Sequence, residues 1–241
     1  MTDSSTTVTK TTALIDLALI IGVLLIAKTA LLNVEAVWAY AGPISLLLAL
    51  VVASWRLKAG GHSWRDLGVQ RPKSWLWLAI QTVIALIVTI GVGILAQSLA
   101  VSVIGEASEA TQAIDARFLG RFDNLPGNLP VYLFWLTMAW VIGGFTEEML
   151  FRGALFSRFE SLLADLPLAV ILAIFCQAIL FGQQHYYYQG LAGWVATAAI
   201  AVVSGLLYLA FKRNLWPLII SHGLSNTIGL TALYLGAMPT P

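Results

Sequence analysis

Gly143-Gly144-Phe145-Thr146-Glu147-Glu148-Met149-Leu150-Phe151-Arg152-Gly153 sets two adjacent carboxylates and an arginine inside an otherwise apolar stretch, residues 131–163. Read as membrane-embedded, the stretch demands a helix, because backbone polar groups in lipid have no water to bond. Ionisable side chains are costly at such a place and are usually kept for a task. On an α-helix over 146–159, Glu148 and Arg152 stand four apart, acid before base, the order and spacing that lets them pair. Glu147 lies about 100° round the helix and has no such partner in its own segment. An unpaired carboxylate in a low dielectric resists ionisation, which suits it to general-base work near neutral pH. Glu148 and Arg152 then form the brace and Glu147 the working group; a purely structural ion pair is the competing reading.

Composition makes the membrane setting general. Of 241 residues, 59% are hydrophobic and 10% charged, against about a quarter charged in a soluble domain. Net charge is +1, and no basic run interleaved with aromatics suggests nucleic acid. Cys176 is alone, which excludes a disulfide framework and a CxxC metal or redox motif.

Outward from 131–163, the hydropathy pattern predicts an all-α, polytopic bundle. Residues 1–11 form a Ser/Thr-rich tail expected to be disordered. Apolar segments follow at 12–32, 37–55 and 75–104, then at 131–163, 166–187, 191–211 and 215–237, each near the roughly 20 residues of a spanning helix. That count is seven, or eight if the long third or fourth segment breaks, with Gly91, Gly93 and Gly143-Gly144 as the places. Asp16 and Lys28 are expected to snorkel to opposite interfaces or to face protein. His62 reads as a solvated loop residue.

The loop 56–74 carries Arg56, Lys58, Arg65, Arg71 and Lys73 against Asp66, and so belongs in the cytoplasm with Arg158 and Lys212-Arg213. The loop 105–130 falls outside, and in it Ile114, Phe118 and Phe122 repeat every four residues, which predicts an amphipathic helix on the membrane. Trp38, Trp55, Trp75, Trp77 and Trp216 lie near segment ends, as interfacial anchors do. The whole is one membrane domain, with N-terminal helices over 12–130 and a core over 131–237.

Two further polar sets interrupt the later spans. Phe181-Gly182-Gln183-Gln184-His185 ends the segment returning from the Glu147 helix, and in an antiparallel hairpin Glu147 and His185 return to nearly one level. His222-Gly223-Leu224-Ser225-Asn226 lies in the last span, with His222 and Asn226 on one face. Counted from Lys212-Arg213, His222 stands only about 13 Å from the basic boundary, nominally shallower than the other pair. One carboxylate, two imidazoles and a carboxamide suit water-mediated amide hydrolysis. Glu147 would take a proton from a water that His185 helps to hold, and His222 with Asn226 would donate to the oxyanion.

Glu147-Glu148-x-x-x-Arg152, Phe181-x-x-x-His185 and His222-x-x-x-Asn226 resemble the three signature motifs of the CAAX protease and bacteriocin-processing (CPBP/Abi) family of intramembrane endopeptidases. The likeness runs over about 131–237. It implies catalysis by Glu147, His185, His222 and Asn226, support from Glu148 and Arg152, a peptide or protein substrate that is lipidated in some members, and a plasma-membrane site open to the cytosol. It implies a glutamate-dependent site with no cofactor; members have also been called metalloproteases, and a Glu/His/His set leaves zinc as a minority option although HExxH is absent.

Serine hydrolysis through Ser221 or Ser225 ranks low, because helix neighbours of His222 point away from it and no GxSxG elbow exists. A Cys176 mechanism ranks lower. From another class, a non-catalytic immunity protein or a transporter would use the same polar groups to hold a bundle, but neither an inverted repeat nor paired broken helices is visible.

Overall fold

The computed structural model describes residues 8–237. Among them there are helices and no strands. The chain runs α1 (Lys10–Leu32), a 3₁₀ segment (Glu35–Tyr40), α2 (Ala41–Ala59), α3 (Trp75–Ile104), α4 (Glu109–Gly120) and α5 (Leu129–Met138). It continues through π-helical turns, Ala139–Glu147 and Met149–Leu155, into α6 (Phe156–Leu162), then α7 (Ala169–Ala210) and α8 (Trp216–Tyr234). Residues 1–7 of the expected tail lie outside the described part; Lys10 and Thr11 already belong to α1, which Thr9 caps by accepting from the Thr12 amide.

Five helical stretches are long and apolar enough to cross a membrane: Lys10–Leu32, Glu35–Ala59, Trp75–Ile104, Leu129–Leu162 and Ala169–Ala210. The outer surface is apolar too, with Ile26 72% and Val103 83% exposed, as lipid-facing side chains are. The chain is an integral membrane protein, a polytopic helical bundle. Neither α3 nor the fourth stretch is interrupted at its glycines by a non-helical residue.

The seven expected segments need α7 to count twice and also α8, which is not among these five. At Gly190 the backbone has φ 66° and ψ −166°, a region open only to glycine. There the helix doubles back: Gln177 donates to the Ala201 carbonyl (3.1 Å) and the Trp194 indole to that of Ile179 (3.0 Å). Its arms, residues 169–189 and 191–210, are each about one crossing long.

The core joins both halves of the chain. Leu17, Ile20 and Leu24 of α1 and Ala49 and Ala53 of α2 pack on Leu150, Phe151 and Phe181. Asp16 and Lys28 face protein rather than snorkelling. Asp16 is 1% exposed and accepts from Arg56 Nε at 2.6 Å and Arg158 Nε at 2.7 Å.

Contacts sort the loops to two ends. At one, Leu215 donates to the Gly68 carbonyl, Tyr208 to that of Leu67, and Lys10 pairs with Asp165. This is the basic end. At the other, Arg117 pairs with Glu35, the Gly127 amide donates to the Tyr234 carbonyl, and Phe118 stacks on Tyr188 at 3.9 Å. Helix α4 thus rests an aromatic of its apolar face on protein, while Ile114 stays exposed.

Candidate functional site

The region 146–159 is continuously α-helical only after Leu155; Glu147 and Arg152 lie in π-helical turns, bonded i→i+5. Such turns hold more residues and less axial length per residue, and they are found mostly at functional sites. Shortening of this kind draws Glu147 toward the basic end. It narrows the level mismatch expected from α-helical counting, and His222 meets both glutamates.

The geometry centres on His222. Its Nδ1 donates to Glu148 Oε1 at 2.9 Å, and its Nε2 lies 3.9 Å from Glu147 Oε2. Glu148 also pairs with Arg152 at 3.2 Å, an ion pair too poorly aligned to be a hydrogen bond. Both partners are buried, and the Arg152 guanidinium lies 4.4 Å over the Phe181 ring. The expected brace is present, and it has a further duty: Glu148 orients His222. No sequence spacing could show that, since the two residues are 74 apart.

His185 Nδ1 donates to its own helix, to the Phe181 carbonyl at 3.0 Å, which leaves Nε2 as the free ring nitrogen. Glu147, His185, His222 and Asn226 line one cavity of about 400 Å³. A second cavity, about 370 Å³, is lined by Glu148, Arg152 and Thr89 and shares His185, His222 and Asn226 with the first. The two glutamates therefore face different spaces.

Glycines allow the close approach. A Cβ on Gly144 would come 3.1 Å from the Ile219 carbonyl, and one on Gly223 would strike the Trp140 ring at 2.5 Å. A Cβ on Gly143 would fall 2.5 Å from Asn226 Nδ2 and 3.6 Å from His222 Nε2. Those two nitrogens are therefore at most about 6 Å apart and converge on one point. Gly143-Gly144 does not break the helix; it is where the helix meets α8, the use small residues have in membrane bundles.

Three residues escaped the sequence reading. Gly143 is one. Lys28 donates to the Gln184 carbonyl at 2.7 Å and to its side chain at 3.1 Å, holding the turn that carries His185. Arg121 lines the cavity of Glu147. A lone lysine in an apolar segment was the only signal for Lys28.

No residue of the basic loops lines either cavity; the one holding Glu147 runs toward the α4 end, past Phe118, Arg121, Tyr187 and Tyr188.

Among the described residues no three His, Cys, Asp or Glu side chains are grouped closely enough to hold a metal ion.

With this geometry established, comparison with known proteins gives one match. It is to the family model described as type II CAAX prenyl endopeptidase Rce1-like, over residues 129–228. The match covers 100 of the 241 residues and makes this stretch similar to the Rce1-like family. The match begins at the first residue of α5 and ends two residues beyond Asn226, so all three motifs fall within it. Helices α1 to α4, with Lys28 and Arg121, lie outside the Rce1-like segment. The family is one of CAAX-type proteases, which brings a peptide substrate and a membrane setting. The comparisons with curated proteins and with solved structures found no match.

Proposed function

We propose that the protein is an intramembrane endopeptidase that hydrolyses peptide bonds of membrane-associated substrates with a water activated by Glu147. The observation that carries this reading is the meeting of Glu147, His185, His222 and Asn226 on one cavity inside an apolar bundle. Glu147 takes one proton of the water while His185 Nε2 accepts a hydrogen bond from the other. The water oxygen bonds to the carbonyl carbon, and the resulting oxyanion accepts from Asn226 Nδ2 and His222 Nε2. To donate there while holding Glu148, His222 must carry both ring protons. Donors preorganised in a dry site contribute on the order of 3 kcal/mol each. The proton held by Glu147 passes to the amide nitrogen, the oxyanion collapses as the C–N bond breaks, and a carboxylic acid and an amine leave, the acid then losing its proton to solvent or to the free carboxylate of Glu147. No step uses a metal, so chelation leaves the rate unchanged.

The test is purified protein in liposomes, with released peptides read by mass spectrometry. Glu147→Gln abolishes release, and Asn226→Ala lowers kcat about 100- to 1000-fold, the usual cost of one oxyanion donor. Undiminished release by Glu147→Gln would reject the reading. On the positive-inside rule the cavity mouth at the α4 end faces away from the cytoplasm.

A further inference from the structure

The second cavity, about 370 Å³, and the one holding Glu147 diverge from a shared wall of His185, His222, Ser225 and Asn226. Helix α8 shows the divergence. Beyond Asn226 its Gly229, Leu230 and Leu233 line the first cavity, while before His222 its Leu218 and Ser221 line the second. The second therefore extends toward the basic end, where Ser204, six residues before the end of α7, also lines it.

Lipid does not call for the polarity of this wall. Thr89 of α3, Thr197 and Ser204 of α7, and Ser221 and Ser225 of α8 line it from three helices. The Thr89, Thr197 and Ser221 hydroxyls donate to carbonyls of their own helices, at 2.7, 2.7 and 3.0 Å, so their oxygens are left to accept. Glu148 and Arg152 line the same space, 2% and 1% exposed. Among the described residues, Glu148 Oε2, Arg152 Nε and Arg152 Nη1 find no hydrogen-bond partner. A buried polar atom left so carries the full cost of its desolvation. The orphaned atoms are of both kinds, one acceptor and two donors, and the two charges cancel. An ion would leave one kind unmet and an acyl chain would leave both. Water meets both, and the volume has room for several molecules.

We propose that the second cavity is a water chamber, from which the hydrolytic water reaches Glu147 and His185 while a peptide fills the first. This rests on the endopeptidase reading above. Each turnover consumes one water, whose oxygen and one hydrogen enter the new carboxylic acid and whose other hydrogen enters the amine. A peptide in the first cavity excludes bulk water from that side, and lipid surrounds the bundle. His185 borders both spaces, so its free Nε2 can take a water from the chamber and hold it for Glu147.

The experiment uses the full-length protein in liposomes, with Cys176 replaced by alanine, and N-acylated synthetic peptides of randomised sequence. Single cysteines are treated with methyl methanethiosulfonate, which reacts with the thiolate and so requires water at the sulfur. Ser204→Cys reacts about 100-fold faster than Ile87→Cys, a lipid-facing position of α3 that is 66% exposed. In a Glu147→Gln background, saturating peptide shields Gly229→Cys of the first cavity and leaves Ser204→Cys reactive. In the active protein, thiomethylation of Ser204→Cys lowers kcat about tenfold or more against the same protein before reaction, with KM for the peptide unchanged. Thr197→Cys gives the same results and takes its place if Ser204→Cys does not fold. A thiol as slow as that of Ile87→Cys, shielding of Ser204→Cys by peptide, or an unchanged kcat after modification each overturns the inference. With Glu147→Gln inactive, those outcomes spare the endopeptidase reading. Cleavage of no peptide by the native protein, or cleavage by Glu147→Gln, rejects both.

Discussion

Replacing Gly143 by alanine should separate catalysis from folding. The added Cβ would stand 2.5 Å from Asn226 Nδ2, whereas ordinary contact begins at 3.4 Å, so the carboxamide must withdraw by about 1 Å. The neighbour is the far end of a flexible side chain rather than backbone, so the helices need not separate. Gly143 has no positive φ, and alanine is favoured over glycine within a helix by about 1 kcal/mol, which offsets the crowding. Stability should stay within about 1 kcal/mol of native. The rate should not, since a misplacement of about 1 Å in a catalytic constellation costs about 100-fold. The assay pairs kcat for peptide release with thermal unfolding in detergent, and Gly223→Ala provides the contrast. There the Cβ meets the body of the Trp140 ring, and overpacking should cost about 1–3 kcal/mol. A Gly143→Ala protein with kcat within threefold of native would refute the role given to Asn226.

Gly190→Ala should destabilise the protein by about 1–3 kcal/mol, because φ 66° with ψ −166° is open only to glycine, while Gly91→Ala, with nothing within 4 Å, should be neutral or mildly stabilising; equal unfolding temperatures for the two would contradict the hairpin. Asp16→Ala leaves Arg56 and Arg158 facing each other without their shared carboxylate and should cost about 3–5 kcal/mol, read by denaturant unfolding in detergent. In a Cys176→Ala background, Asp123→Cys should react with an impermeant maleimide in intact cells and Lys73→Cys only after permeabilisation. The reverse pattern would put the cavity mouth in the cytosol.

Much of the fold was legible because lipid leaves the backbone one option. A segment of about 20 apolar residues must be helical, so residues 12–32, 75–104 and 191–211 announce their elements from hydropathy alone. The pairing of Glu148 with Arg152 is likewise local, set by positions four apart on one segment. The partnership of Glu148 with His222 is of another kind: 74 residues intervene, and its geometry depends on how two helices cross. The π-helical turns were not legible either. Nothing in the order of residues 139–155 distinguishes i→i+5 from i→i+4 bonding, and the wider turn wins only where packing on α8 supports it.

Taken by itself, the order of residues determined which segments are apolar enough to enter the membrane and which side chains had to justify a charge there. Tertiary structure alone decided that His222 stands between two glutamates, that Lys28 holds Gln184 and that Arg121 lines the cavity of Glu147. It also decided that the cavity runs toward α4 rather than toward the basic loops. The physical reason is range. Hydropathy and helix periodicity act within a segment, whereas levels, close approaches and cavities arise between segments, where one glycine or one widened turn moves a side chain by ångströms.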